Sequence, residues 1–360
     1  MIEPRLNYVS CPGPAAVRQG QSPTQEHRMA WWEWNATGNP QHPHVVVCAH
    51  GLSRQGRDFD TLARALCHRV RVVCPDVVGR GHSDWLADAM GYHVGQYAAD
   101  MLALLQHLHQ QSPLDTLDWV GTSMGGLIGM ALCGQPGLPL PVPVRRLVLN
   151  DVGPAIQWEA LVRIGQYLGQ PVRFDSPEQA AEVLWSLSTT FGPHTPEQWM
   201  ALSRPMLRER PEGGFTLHYD PAIAVPFRAM TEDAMAGSQQ ALWQLYDSIT
   251  AQPLLLRGAD SDLLSRETAV EVGRRGPKAQ LREFAGVGHA PTLMDSGQVA
   301  VVAEFLGCSD SMVGGCHEAR NPAVGGAPAR PGRTRSRTDH GHRQQPARAG
   351  RCPGTRQDLC

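Results

Sequence analysis

Ser123 stands in Gly121-Thr122-Ser123-Met124-Gly125, with a glycine two residues away on either side. The spacing G-x-S-x-G suits a sharp strand-to-helix turn, because glycines avoid clashes where a strained backbone thrusts the serine outward. The flanks agree with that placement: residues 117–120 are an apolar run of strand length, and residues 127–133 carry an apolar helical pattern. A serine hydroxyl is a poor nucleophile at neutral pH and needs an imidazole to take its proton as it attacks a carbonyl. Of the fifteen histidines, most of which read as solvated or structural, His289 is the candidate base. It lies in Gly286-Val287-Gly288-His289-Ala290-Pro291, a loop of small residues just after the last expected strand.

A carboxylate must hold the imidazole tautomer and stabilise the imidazolium formed during attack. Asp262 is favoured for this role. Asp260 shares its loop, Arg257-Gly258-Ala259-Asp260-Ser261-Asp262, and Asp151, which ends an earlier strand, is the third contender. The oxyanion of the tetrahedral intermediate needs preorganised donors. Met124 N–H, directly after the nucleophile, supplies one, and Leu52 N–H in His50-Gly51-Leu52-Ser53 supplies the other. His50 itself reads as structural, its ring hydrogen-bonded to backbone in a strand-end loop.

The elements that must position these residues follow an α/β rhythm. Two short aromatic and β-branched segments, residues 6–9 and 28–34, predict an antiparallel opening pair. Residues 45–49 and 70–74 are continuous apolar runs with a helix-length stretch between them, as in a βαβ unit whose strands are buried on both faces. A helix at 97–109 and a strand at 146–150 continue the series. Residues 154–248 then break it with several helices containing Trp158, Trp185, Trp199 and Trp243, which reads as an inserted lid. Strand 253–256, helix 266–273, strand 280–284 and helix 298–305 close one α/β domain split into residues 1–153 and 249–307.

The 360 residues are 42% hydrophobic and 18% charged, as in an ordinary folded protein, and the net charge of −2 suggests no partner such as nucleic acid or an anionic membrane. Residues 309–360 differ, holding nine Arg against four Asp or Glu and almost no large apolar side chains. From residue 308 the chain is expected to be a disordered Arg/Pro/Gly-rich tail, since it buries too little to offset its ordering entropy. Nine irregularly spaced cysteines imply no disulfide framework, and Cys308, Cys316 and His317 lack the paired spacing of a zinc site. With neither an apolar leader nor a span-length apolar stretch, the expected location is cytoplasmic.

Four motifs together resemble the α/β-hydrolase fold enzymes, specifically the branch of esterases, lactonases and C–C hydrolases with a helical cap. His50-Gly51-Leu52 is similar to the oxyanion loop, Asp76-Val77-Val78-Gly79-Arg80-Gly81-His82-Ser83 to the D-x-x-G-x-G-x-S turn, and the Ser123 elbow and Gly288-His289 complete the set over residues 27–307. The resemblance implies a mostly parallel central sheet flanked by helices, and a serine hydrolase cleaving an ester or related acyl compound through an acyl-enzyme, with no metal or organic cofactor. Many relatives place the acid three residues after the glycine equivalent to Gly258, which here is Ser261. A branch with a similar Ser-Asp-x-Leu-Ser loop uses its aspartate, which supports Asp262. Serine rather than aspartate at the elbow argues against dehalogenase and epoxide-hydrolase chemistry. The Trp and Met content of the lid suggests a substrate with an apolar acyl or alcohol group, unless those side chains serve helix packing. Lactone, thioester and C–C substrates stay open at this point. A non-catalytic ligand receptor would have no need of nucleophile, base and acid together.

Overall fold

The computed structural model describes residues 2–17 and 24–309. From residue 310 the expected disordered tail, with the pair Cys316 and His317, lies outside the described residues; Cys308 is buried and its N–H bonds to the Ala303 carbonyl.

Two long strands, β1 (Arg5–Val17) and β2 (Thr24–Trp34), form the opening antiparallel pair, and β3 (His44–Ala49), α1 (Asp60–Leu66), β4 (Arg71–Asp76) and the two-residue β5 (Trp85–Leu86) follow. Next come α2 (Val94–Gln111), β6 (Thr116–Thr122), α3 (Met124–Gly134) and β7 (Val144–Asn150). The inserted segment holds α4 (Trp158–Tyr167), α5 (Pro177–Leu187), α6 (Pro196–Ser203), β8 (Leu207–Glu209), β9 (Phe215–Leu217), α7 (Ala224–Arg228) and α8 (Glu232–Asp247). The chain ends with β10 (Gln252–Gly258), α9 (Arg266–Val272), β11 (Gln280–Phe284) and α10 (Ser296–Phe305).

Nine strands make one sheet in the order β11-β10-β7-β6-β3-β4-β2-β1-β5. The pairs from β4 through β11 are parallel, whereas β2 joins β4 and β1 in antiparallel fashion. The continuous apolar runs become strands covered on both faces, and their side chains alternate between two cores. Val45, Val47 and Ala49 of β3 face the side carrying Met101, Leu104 and Leu108 of α2 and Ile128 of α3. Val46 and Cys48 face Leu62 and Leu66 of α1 and Val302 of α10. Each of the valine, leucine, isoleucine and methionine side chains contributes about 1.5–3 kcal/mol by leaving water. The His27 and Asp100 side chains, both fully buried, pair at 3.0 Å and tie β2 to α2.

The insertion is less purely helical than its composition predicts. A small hairpin of β8 and β9 interrupts the helices, and Phe174 bridges to Phe215 beside it. Its strands of three residues carry too little alternation to register as a period. Helix α8 packs against α3, so it is part of the core wall. The close approach is made at Gly134, where a Cβ would lie 2.2 Å from the Leu245 carbonyl oxygen. Of the lid's four tryptophans, Trp199 is buried and packs against Trp185 and Phe191, while Trp185 itself is partly exposed. Among the described residues no helix is long and apolar enough to cross a membrane.

Candidate active site

Ser123 is the single residue between β6 and α3, at φ 52° and ψ −115°. A non-glycine residue there stores about 1–3 kcal/mol of strain, which the surroundings must hold. They hold it by close backbone packing: a Cβ on Gly125 would lie 2.0 Å from the Ala49 carbonyl oxygen, and one on Gly121 would lie 2.3 Å from that of Gly125. The Ser123 N–H bonds to the Asn150 carbonyl at 2.9 Å, anchoring the turn to the end of β7.

His289 reaches Ser123 from the loop after β11. Ser123 Oγ donates to His289 Nε2 at 3.0 Å, and His289 Nδ1 donates to Asp151 Oδ2 at 2.7 Å. The carboxylate therefore comes from the residue after β7. Asp151 is fully buried, and it also accepts from Gly258 N at 2.9 Å and from Ser261 Oγ at 2.6 Å.

The expectation that Asp262 is the acid is corrected by this geometry. Asp262 points to the surface, 44% exposed, and pairs with Arg163 of α4 at 2.6 Å. Asp260 is likewise exposed. The physical reason is that β7 and β10 are parallel neighbours whose ends open on the same sheet edge, so either following loop can deliver a carboxylate to His289. Ser261, at the position where the resemblance implies an acid, turns its hydroxyl onto Asp151. A serine at that position, together with an aspartate directly after the apolar strand 146–150, was the available signal.

Leu52 and Met124 flank the serine. The Gly51 Cβ position is 3.8 Å from Ser123 Cβ, which sets the loop that carries Leu52 beside the nucleophile, while Met124 opens α3. His50 is fully buried. Its Nδ1 donates to the Gly51 carbonyl at 2.7 Å, and its Nε2 accepts from Val77 N at 2.9 Å. That carbonyl belongs to the same peptide unit as the Leu52 N–H, so the imidazole polarises the donor from behind. Burial, assisted by the charges of Arg80 and Arg54 and opposed by the bond to Gly51, pushes the ring down to about 3 and keeps it neutral.

Further hydrogen bonds that the sequence did not specify brace the site. Asn150 Nδ2 donates to Thr122 Oγ1 at 2.9 Å and to the Pro291 carbonyl at 2.8 Å, stitching the elbow to the histidine loop. The lid joins that loop through Gly288 N to the Thr190 carbonyl at 2.6 Å. The turn after β4 wraps around Asp76, whose carboxylate accepts from Gly56 N at 2.7 Å and His82 N at 2.9 Å. Gly81, at φ 50°, is forced there because a Cβ would sit 2.2 Å from Asp76 Oδ2. Cys11, His27 and Asp100 are the one group of three metal-ligating side chains close together among the described residues, and the His27–Asp100 pair gives it a structural reading.

A general base aligned on a serine, with a buried carboxylate behind it and backbone donors at hand, is equipped for acyl transfer. A model described as the alpha/beta hydrolase family matches residues 46–304. The chain is 50% identical over 308 residues to the 3-hydroxybutyrate-oligomer hydrolase of Cupriavidus necator, covering 84% of this chain and 98% of that protein. It is 26% identical over 279 residues to the 2-hydroxy-6-oxo-2,4-heptadienoate hydrolase of Pseudomonas putida, covering 76% of this chain and 91% of that one. Among solved structures, an alpha/beta hydrolase from Novosphingobium aromaticivorans is similar with a TM-score of 0.69 at 31% identity, covering 86% of this chain and 100% of its own.

Proposed function

Because the chain belongs to the alpha/beta hydrolase family and hydrolyses ester bonds, we propose that its substrates are short linear oligomers of 3-hydroxy acids, with 3-hydroxybutyrate oligomers as the type. The likeness to the Cupriavidus enzyme over 98% of its length supports this choice of substrate.

One observation carries the mechanism: the unbroken hydrogen-bonded chain from Ser123 Oγ through His289 to Asp151 Oδ2. Ser123 Oγ attacks the ester carbonyl while its proton passes to His289 Nε2. The carbonyl oxygen becomes an oxyanion facing the Leu52 and Met124 N–H groups, each such donor being worth about 10²–10³ in rate. Asp151 holds the Nδ1 proton and stabilises the imidazolium. As the intermediate collapses, the alkoxide of the departing hydroxy acid takes the proton from His289. A water molecule, deprotonated by the same ring, then attacks the acyl-enzyme and restores Ser123.

The product side of such an ester carries a free carboxylate, and the surface offers cationic groups for one. A groove of about 480 Å³ is lined by Trp32, Arg57, Arg64, His82, Arg204 and His218. It shares Asp58 and Leu202 with the smaller cavity beside Thr122 and Ala290. Asp60 holds Arg57 and Arg64, whereas Arg204 is exposed at the end of α6.

The test is release of free acid from linear 3-hydroxybutyrate dimer and trimer by wild type and Ser123→Ala, with fluorophosphonate labelling of both. Turnover and labelling that vanish together in the variant support the reading. Labelling of wild type without turnover of either oligomer overturns the substrate and redirects the serine to lactones, thioesters or C–C bonds. Turnover by Ser123→Ala at the wild-type rate overturns the mechanism.

A further inference from the structure

Arg80 occupies the middle of the Gly79-Arg80-Gly81 turn and is fully buried. A guanidinium taken out of water must find acceptors for its N–H groups, and a counter-charge for its own, or its burial is costly. The acceptors are present. Nε donates to the Leu52 carbonyl at 2.9 Å, Nη1 to the Val78 carbonyl at 2.7 Å and to the Tyr97 hydroxyl at 3.1 Å, and Nη2 faces Met124 Sδ at 3.7 Å. The rings of Tyr92 and Tyr97 lie 5.7 and 5.0 Å from the guanidinium carbon and present their negative faces. Among the described residues no carboxylate pairs with it.

Two of these four polar partners belong to Leu52 and Met124, the residues whose N–H groups face the oxyanion in the mechanism above. The side chain thus reaches the oxyanion loop and the first turn of α3 at once. The turn that aims it is held from both sides: Asp76 organises it from the core, while Gly81 N bonds to the His218 carbonyl and Asp220 N to the Gly79 carbonyl. An unneutralised charge in a dry setting acts over several ångströms, because few dipoles are free to screen it. Negative charge collects on the substrate oxygen only as the transition state is approached, so a fixed positive field there lowers the barrier without tightening ground-state binding.

We infer that Arg80 is a positioning residue of the oxyanion site, holding the Leu52 backbone by its carbonyl and the Met124 side chain by its sulfur, and lending its positive field to the developing oxyanion. This rests on the serine mechanism proposed above. A merely structural arginine would show itself otherwise, as a loss of folded enzyme with normal turnover in what remains.

The experiment compares wild type, Arg80→Met, Arg80→Gln and Arg80→Lys after counting functional sites with a fluorophosphonate. It reads kcat per labelled site, KM for a p-nitrophenyl ester, and Ki for a trifluoromethyl ketone, whose serine adduct carries an oxyanion. For Arg80→Met the expected result is a fall in kcat per site of roughly tenfold to a hundredfold, KM within about threefold, and a matching weakening of Ki. Arg80→Lys recovers part of the loss by restoring the charge without the fork. If the methionine variant does not fold, the glutamine and lysine variants decide between the same outcomes. Full kcat per labelled site or an unchanged ketone Ki in labelled wild-type-like protein overturns the inference and leaves the serine mechanism standing. A wild type that is not labelled overturns both.

Discussion

Ser261 Oγ and His289 Nδ1 donate to one and the same oxygen of Asp151, at 2.6 and 2.7 Å. The serine stands where the family resemblance implies an acid, and it orients the carboxylate supplied by the neighbouring strand's end. Asp151→Asn is therefore expected to lower kcat by about 10⁴, the scale on which an amide in this position imposes the wrong tautomer. Asp262→Asn should stay within twofold, since it removes only a surface ion pair worth about 0–1 kcal/mol. The double variant Asp151→Asn with Ser261→Asp should regain part of the loss. Steady-state kinetics on one ester decides this, and an Asp262→Asn enzyme as dead as the Asp151 variant would refute the assignment.

The neutral, buried His50 makes stability depend on pH. Its ring is pushed down to about 3 in the folded state, against about 6.5 for an unfolded histidine. Above the unfolded value neither state binds the proton, and the contribution is fully present. As pH falls from there toward the folded value, only the unfolded chain takes up the proton, so stability drops by about 1.4 kcal/mol per pH unit. His50→Asn keeps a donor for the Gly51 carbonyl and removes the titration. Its Tm between pH 6 and pH 4 should fall less steeply than that of the wild type. Parallel curves would count against it.

Arg204 tests the groove. If it meets the free carboxylate of an oligomer, Arg204→Ala should raise KM for the 3-hydroxybutyrate trimer about two- to fivefold, the scale of an exposed ion pair. The methyl ester of the same trimer should be unaffected. Equal changes for the acid and its methyl ester would place the carboxylate elsewhere.

Gly125→Ala probes the packing behind the elbow. The added methyl meets the Ala49 carbonyl at 2.0 Å, a backbone group that cannot swing aside as a flexible side chain would. A loss of roughly 1–3 kcal/mol is expected, read by denaturant titration, with a fall in kcat because Ala49 leads directly into the Gly51–Leu52 loop. A fully stable and active variant would mean that the helix can slide.

Much of this architecture is legible in the residues themselves. The apolar runs in β3, β4 and β10 are continuous because both faces of those strands are covered, and the spacing of Tyr97, Met101, Leu104 and Leu108 marks one face of α2. The turn at Ser123 is legible because its glycines are a local steric demand. The acid is not, because its place depends on which of two adjacent parallel strands turns a loop toward His289, a tertiary fact that neither loop encodes alone. The docking of α8 on α3 escapes for a similar reason, its signal being one missing side chain at Gly134. The role of Arg80 hides inside a turn motif whose variable position says nothing of where the side chain is sent.

Moving the acid to β7 also changes what the loop after β10 is free to become. Its Asp262 grips Arg163 on α4, the first helix of the inserted segment. While Ser261 still serves the carboxylate, Asp262 is left to fasten the roof to the wall, and substituting it should loosen that fastening while leaving the bond-breaking step untouched.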